Sequence, residues 1–316
     1  MSAVTLMLAG WALEAMFGWP DRLYRTIRHP VVWFGYLVRL FDKALNRQAW
    51  SHMVRYTAGM GITVLLIAIA TGLAILISDA LPNTIAGAAA EALIVSSLIA
   101  SRSLYRHVAA IAAPLASGRL PDARLAVSQI VGRDPSDLDE AGISRAALES
   151  LAENASDGVI APLFWGALFG LPGIAAYKAV NTLDSMIGHR NARYSAFGGF
   201  AARLDDGANF VPARLTGCLI ALAAGSHQAL KTMLRDARCH RSPNAGWPEA
   251  AMAGALGIRL SGPRSYGDRT SPEPWLNGGA PDPSADDLRR GLRLYTGAMA
   301  LAAGLLALTA LVLEFS

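Results

Sequence analysis

Apolar residues in this chain gather into runs too long and too even for the one-sided stripes of a soluble core. Tyr56 to Ser78 is 23 residues without a charge, and Leu294 to Leu313 is 20 more. A helix needs about 20 apolar residues to cross a hydrocarbon layer of about 30 Å, so both runs predict transmembrane helices. Thr84 to Ser101 carries one charge, Glu91, and Met1 to Pro20 carries one, Glu14; each predicts a span whose acid faces protein. The first run lacks the basic start and small-residue cleavage site of a signal peptide and is expected to stay on the mature protein. Two further runs are interrupted: Val159 to Tyr177 by Pro162, Gly166, Gly170, Pro172 and Gly173, and Ala208 to Ala229 by Pro212 and Arg214. They read as broken or re-entrant helices. The expected fold is all-α, a single polytopic membrane domain over 1–316, with four firm spans near 1–20, 56–78, 84–101 and 294–313 and broken segments near 159–177 and 208–229.

The polar stretches set the orientation. Arg22, Arg25, Arg28, Arg39, Lys43, Arg47 and Arg55 crowd residues 21–55, whereas Asp79 to Asn83 has no basic residue. Positive charge stays on the cytoplasmic side, which places 21–55 there, together with 102–158, 178–207 and 230–292. A full crossing by Val159 to Tyr177 would carry Lys178, Arg190, Arg193 and Arg203 outside, so both broken segments are expected to return to the cytoplasmic face. Within the polar parts, Pro121 to Gly132 and Asp139 to Asn154 read as helices, the second with Asp139 and Glu140 at its positive end. Pro248 to Ile258 starts with Pro at the first helical position, and Ser284 caps a helix beginning near Asp286 and Asp287. Ser261 to Pro283, dense in Gly, Pro and Ser, is a loop or lid. No strand alternation or internal repeat is visible.

Composition agrees. Hydrophobic residues make up 53% and charged residues 16%, against roughly 45–50% and about 25% in soluble domains, and mean hydropathy is +0.33. A disordered chain and an ordinary cytosolic enzyme are disfavoured. Lysine occurs only at Lys43, Lys178 and Lys231, so arginine carries the basic charge behind a net +4. Without a basic tail or an aromatic-basic stripe, the pI near 9.3 does not argue for nucleic acid. Cys218 and Cys239 have no CxxC partner and read as free thiols.

The scarce charges are concentrated. In SRAALESLAENASDG, Arg145, Glu149, Glu153 and Asp157 recur every four positions on one helical stripe, with Asn154 beside them. A solvated face with one Arg–Glu pair is the plain alternative. Against it, three successive acids repel one another unless a cation intervenes, and hard carboxylates suit Mg²⁺. The segment 177–216 interleaves Asn181, Asp184 and Ser185 with Arg190 and Arg193, then Arg203, Asp205, Asp206, Asn209 and Arg214. Acids for a metal beside arginines for phosphate are what phosphoryl chemistry requires, although a polar loop with local ion pairs would use the same residues. No Walker A loop is present, which excludes an ordinary P-loop ATP site. His29-Pro30 and the stretch Ser242-Pro243-Asn244-Ala245-Gly246-Trp247-Pro248-Glu249 are fixed turns before helices; acid–base work by His29 and polar binding by the second are the functional readings. Cys239-His240, His52, His107 and His227 lack metal-ligand spacing.

Four stretches together, HPVVWFG at 29–35, GRDPSDLDEAGISRAALESLAENASDGVIAPLFW at 132–165, YKAVNTLDSMIGHRNARYSAFGGFAARLDDGANFVPARLT at 177–216 and SPNAGWPEAAMAGALGIRL at 242–260, resemble the CobD/CbiB family, the membrane-bound adenosylcobinamide-phosphate synthases of cobalamin biosynthesis. Pro135 stands where the family more usually has Thr, and His189 falls at a variable place and is given no catalytic role. The resemblance implies an ATP- and Mg²⁺-dependent ligase that joins adenosylcobyric acid to (R)-1-amino-2-propanol phosphate, or to aminopropanol itself, through an amide formed by way of an acyl phosphate. The resemblance marks residues and not their individual jobs; from their chemistry, His29, Glu153, Asp157, Asp184 and Lys178 are expected to be catalytic. Substrate or nucleotide would be bound by Asn154, Asn181, Arg190, Arg193, Arg203, Arg214, Ser242, Asn244 and Glu249, and metal by Glu149, Glu153, Asp157, Asp184, Asp205 and Asp206. The corrinoid, the aminopropanol phosphate, ATP and membrane lipid are the expected partners, with no nucleic acid. A multi-pass place in a bacterial inner membrane, the active site facing the cytoplasm and touching later enzymes of the pathway, completes the expectation. Two other readings of the residues stand beside it: an intramembrane Mg²⁺-dependent prenyltransferase acting on a diphosphate, and a non-enzymatic transporter with polar residues at broken helices.

Overall fold

A computed structural model of the chain describes residues 1–20, 25, 26, 28–132, 134–266 and 269–315, with backbone only over 264–266 and 269–271. Arg22 of the expected basic segment, Arg133 of the 132–165 motif, and Gly267 and Asp268 of the expected lid lie outside the described residues. In chain order the helices are α1 (Ala3–Phe17), α2 (Pro30–Leu45), α3 (His52–Ala80), α4 (Ile85–Ser96), α5 (Ser101–Ala116), α6 (Leu120–Val127), α7 (Glu140–Ala155), a π-turn (Ser156–Ile160), α8 (Ala161–Ile187), α9 (Gly199–Ala208), α10 (Phe210–Ala223), α11 (His227–Asp236), α12 (Gly246–Leu256) and α13 (Ala285–Phe315). The chain is an all-α polytopic membrane protein. Four helical stretches are long and apolar enough to cross a bilayer: His52–Ala80, Ile85–Ala116, Glu140–Ile187 and Ala285–Phe315.

These are not the same four spans that the apolar runs predict. The amino-terminal helix stops after 15 residues: Ser2 caps its start, and Gly18, at φ 62° and ψ −165°, takes a backbone conformation that favours glycine and turns the chain out of the helix. The stretch through Val159 to Tyr177 lies inside the candidate Glu140–Ile187, which qualifies by length and composition. That segment is interrupted as expected, by the π-turn and by Gly170, whose φ of 66° and ψ of −153° leave the helix just before Pro172. The other broken segment divides into α10 and α11 at Gly225, φ 56°. Near 84–101 the first helix ends at Ser96, and a second begins at Ser101. Glu91 takes a hydrogen bond from the Ser78 hydroxyl at 2.8 Å, and Glu14 is buried, as charges inside an apolar span must be.

Three smaller expectations are corrected. Pro121 to Gly132 is helical only as far as Val127. The helix expected to start at Pro248 starts at Gly246, which a side chain would prevent from lying against the Ala237 carbonyl; Pro248 falls later in the first turn, where its missing N–H costs nothing. Ser261 to Pro283 holds two short antiparallel pairs, Leu260–Ser261 with Trp275–Leu276 and Arg264–Tyr266 with Arg269–Ser271. Strands of two or three residues are too short for alternation to show in sequence.

The chain forms two compact units. The first takes Met1–Ala100, Ala161–Asn209 and the chain from Leu306; the second takes Ser101–Ile160 and Phe210–Leu305. In the first, Val38, Ile62, Leu66, Leu183, Ile187, Phe197 and Ala201 make a buried core from α2, α3, α8, α9 and the 188–198 loop. Two glycines let that loop close on the helices: a Cβ on Gly59 would lie 1.8 Å from the Phe197 carbonyl oxygen, and one on Gly198 would lie 1.6 Å from that of Ile187. In the second, α12 is the buried centre, covered by α7, α10 and α11. Ser284 opens α13 where expected, donating its N–H and its hydroxyl to the Asp287 carboxylate at 2.9 and 2.8 Å.

Candidate functional site

In the first unit the last three turns of α8 carry Tyr177, Asn181 and Asp184, which share one face by their spacing of four and three. Opposite stand Asp205 and Asp206 of α9 and Asn209 just beyond it. The Tyr177 hydroxyl donates to Asn209 Oδ1 at 2.8 Å, and the Asn209 amide donates to Asp205 Oδ2 at 3.0 Å. On the other oxygen of Asp205, the Asn181 amide donates at 3.5 Å. The Trp165 indole N–H, donated to the Ala208 carbonyl at 3.0 Å, pins the end of α9. Burial, and next the charge of Asp184, push the Asp205 carboxyl up to about 7. Burial also raises Asp206, against the pull of Arg190.

An excess of negative charge held by amides and a phenol, with Arg190 at its edge, is a place that a cation or a protonated group relieves. Among the described residues no three of His, Cys, Asp and Glu converge closely enough to enclose a metal ion. Mg²⁺ needs less than that, since it is commonly held by one or two carboxylates together with waters and substrate phosphates. Asp184 and Asp205 offer such a pair.

The other expected residues of this unit do different work. Arg193 is paired with Asp42 at 2.7 Å, and Tyr194 also donates to Asp42. Asn46 joins Asp42 at 2.8 Å and the Arg193 carbonyl at 3.1 Å, while buried Arg55 donates to Asn46 at 3.0 Å and to the Arg193 carbonyl. This clamp fastens the 188–198 loop, so Arg193 is spent on holding the loop. Its guanidinium is driven further above its ordinary range by Asp42. Arg203 lies against Tyr56, 3.2 Å from its hydroxyl. His29 caps α2, accepting from the Val31 N–H at 3.3 Å, and stacks edge-on against Trp19 at 4.9 Å. Burial, and then the charge of Lys178, lower its pKa, and it also bonds the Ser97 backbone. A neutral imidazole with both nitrogens engaged is a fixed hinge, which argues against His29 as the base.

In the second unit the acid stripe is solvated only in part. Glu149, 7% exposed, accepts the Ser261 backbone N–H at 2.7 Å. Arg145 pairs with Asp282, which Arg259 grips with both nitrogens at 2.9 and 2.6 Å. Both guanidiniums lie over the Trp275 ring. Glu149 and Arg145 therefore tie down the 261–283 segment. Asn154 turns its amide onto the Ser150 carbonyl, Glu153 is exposed, and Asp157 sits half-buried in the π-turn, a feature frequent at functional sites. Arg214 lies between the Phe210 and Trp247 rings and donates to Asn244 at 3.3 Å. Ser242 caps its turn by accepting from the Asn244 and Ala245 N–H groups. Glu249, 2% exposed, faces His240 at 3.6 Å, and the His240 ring accepts the Ser242 N–H.

The structure thus gathers Asn181, Asp184, Arg190, Asp205 and Asp206 in one unit and Arg214, Ser242, Asn244 and Glu249 in the other. Sequence reasoning missed His240, which has no ligand spacing, and the Asp42–Asn46–Arg55 clamp, whose only sign was the spacing of four between Asp42 and Asn46 on an amphipathic helix.

The chain is 54% identical over 301 residues to the cobalamin biosynthesis protein CobD of Rhodobacter capsulatus, covering 95% of each. The protein of the same name from Brucella anthropi is 48% identical over 309 residues, 95% of this chain and 94% of the other. That from Rhizobium meliloti is 47% identical over 293 residues, 88% of each. No solved structure matches. The family described as CobD/Cbib protein matches residues 7–295, which include every polar cluster above, and the chain accordingly belongs to the CobD/CbiB family of cobalamin biosynthesis proteins.

Proposed function

We propose that the protein is an ATP- and Mg²⁺-dependent ligase that forms the amide between a propionate of adenosylcobyric acid and (R)-1-amino-2-propanol phosphate, on the cytoplasmic face of the bacterial inner membrane. The observation that carries this reading is the crowding of Asp184, Asp205 and Asp206 beside Arg190, with Asn181 and Asn209 holding Asp205 in place. Family membership points to the corrinoid.

A carboxylate and an amine do not condense unaided, because hydroxide is a poor leaving group. The propionate oxygen attacks the γ-phosphorus of ATP and ADP leaves; the amine then attacks the acyl carbon and orthophosphate leaves. Mg²⁺, when bound by Asp184 and Asp205, supplies charge neutralisation at the phosphates. Asn209 and Asn181 fix the Asp205 carboxylate through hydrogen bonds to its two oxygens. Arg190, exposed at the rim, supplies a fork for phosphate oxygens. Asp206, its pKa raised by burial, accepts the proton that the ammonium group must lose before attack.

The test is the full-length protein in detergent with ATP, Mg²⁺, adenosylcobyric acid and aminopropanol phosphate. Amide product with one ADP per amide is expected, and Asp184→Asn or Asp205→Asn should lower turnover by at least about a hundredfold. No amide and no substrate-dependent ADP release overturns the ligase reading.

A further inference from the structure

The helix α2 buries one of its faces and exposes much of the other to its surroundings. Gly35, Val38 and Asp42 are buried, with Val38 in the core of the first unit. Trp33, Tyr36 and Leu40 are 50%, 64% and 52% exposed, and Arg39 and Lys43 beside them are exposed as well. Positions 33, 36, 40 and 43 recur at three and four residues and share one side of the helix. Trp33 and Tyr36, with Val32, Leu37, Arg28 and Arg39, line a shallow cavity of about 380 Å³. That is within the range of roughly 300–1,000 Å³ in which small molecules bind.

Three properties say what the face accepts. Its charge is positive: between residues 28 and 47 Asp42 is the only acid in the sequence, and it is buried against Asn46 and Arg193. Arg28, on the cavity wall, holds φ at 59°, a left-handed conformation unfavourable for a side chain with a Cβ. The wall is held there against the local preference of the backbone. Finally, residues 46–51 alone separate α2 from the span His52–Ala80, which ties the helix to the membrane surface. Aromatic rings at the level of the headgroups and a polar face rich in Arg and Lys are the marks of a helix lying in that layer.

We propose that this face of α2 binds the headgroup of an anionic phospholipid, its phosphodiester on Arg28 and Arg39 and its glycerol and first acyl carbons on Trp33, Tyr36, Val32 and Leu37. A free phosphate offers the same anion but has nothing to place against the four apolar residues, which is why the lipid is the occupant. Each basic residue near an anionic surface changes affinity by about fivefold.

The test uses the full-length chain in phosphatidylcholine nanodiscs doped with brominated phosphatidylglycerol or, in parallel, with brominated phosphatidylcholine. The signal of Trp33 is read as the difference between wild type and W33F. Quenching several-fold stronger with phosphatidylglycerol is expected, and R28Q/R39Q, which removes both charges and keeps a polar side chain with a Cβ at each position, should remove the preference. Native mass spectrometry gives a second reading without W33F: wild type retains phosphatidylglycerol from mixed micelles at least about fivefold more than R28Q/R39Q. Equal quenching by the two lipids, or a preference that survives in R28Q/R39Q, overturns the proposal. Competition by millimolar inorganic phosphate overturns it too, since the site would then be one for the free anion.

Discussion

At the scale of single residues, Asp205 shows how a site works against stability. A carboxyl raised from 3.8 to about 7 on folding binds more protons in the native state than in the unfolded state between those two values. The stability this group contributes is therefore fully present below pH 3.8 and is lost as pH rises towards about 7. In EDTA, with no divalent cation to offset the charge, thermal unfolding should show that decline, and Asp205→Asn should flatten it and melt higher at pH 8 while losing turnover. A variant that melts lower at pH 8 and retains full turnover would remove Asp205 from the site. The same scale separates two arginines that look alike in sequence. Arg190 and Arg193 stand three apart in one polar loop, yet Arg190 neighbours Asp206 while Arg193 is locked to Asp42. No local pattern distinguishes them, because the partner of Arg193 is 151 residues away.

At the scale of elements, the long apolar runs and the caps were legible and the interruptions only half so. Ser284 opens α13 as forecast, and Asp139, forecast only as a charge at the positive end of α7, caps that helix through the Gly142 N–H at 2.7 Å. Proline and glycine marked Val159 to Tyr177 as broken, but the distinction between the π-turn at Ser156–Ile160 and the kink at Gly170 depends on what packs around each. The glycines that matter most were unremarkable in sequence. Gly59→Ala and Gly198→Ala push a methyl group into a backbone carbonyl and should each destabilise the chain by roughly 1–3 kcal/mol. Gly61→Ala, with nothing within 4 Å of the new carbon, should be neutral or slightly stabilising, since alanine suits a helix better. Thermal melting of the detergent-solubilised protein distinguishes these outcomes.

At the scale of the whole molecule, two units assembled from discontinuous stretches carry separate polar clusters, and four apolar stretches are able to cross a bilayer. The positive-inside pattern predicts that cysteines placed beside Arg193 and beside Asn244 react with an impermeant maleimide only from the cytoplasmic side of oriented vesicles. Labelling beside Arg193 from outside would mean that the stretch through Val159 to Tyr177 carries the chain across. The sequence by itself determined the membrane character and the helical class, because a bilayer sets a minimum apolar length and requires every backbone group to be bonded within its own helix. It also marked the family through long polar motifs that packing alone does not demand. Only the tertiary structure decided which polar residues meet: Tyr177 with Asn209, Arg193 with Asp42, Glu249 with His240, Glu149 with the Ser261 backbone. Such pairings depend on how separate elements pack, and a hydrogen bond reaches about 3 Å whatever the distance along the chain.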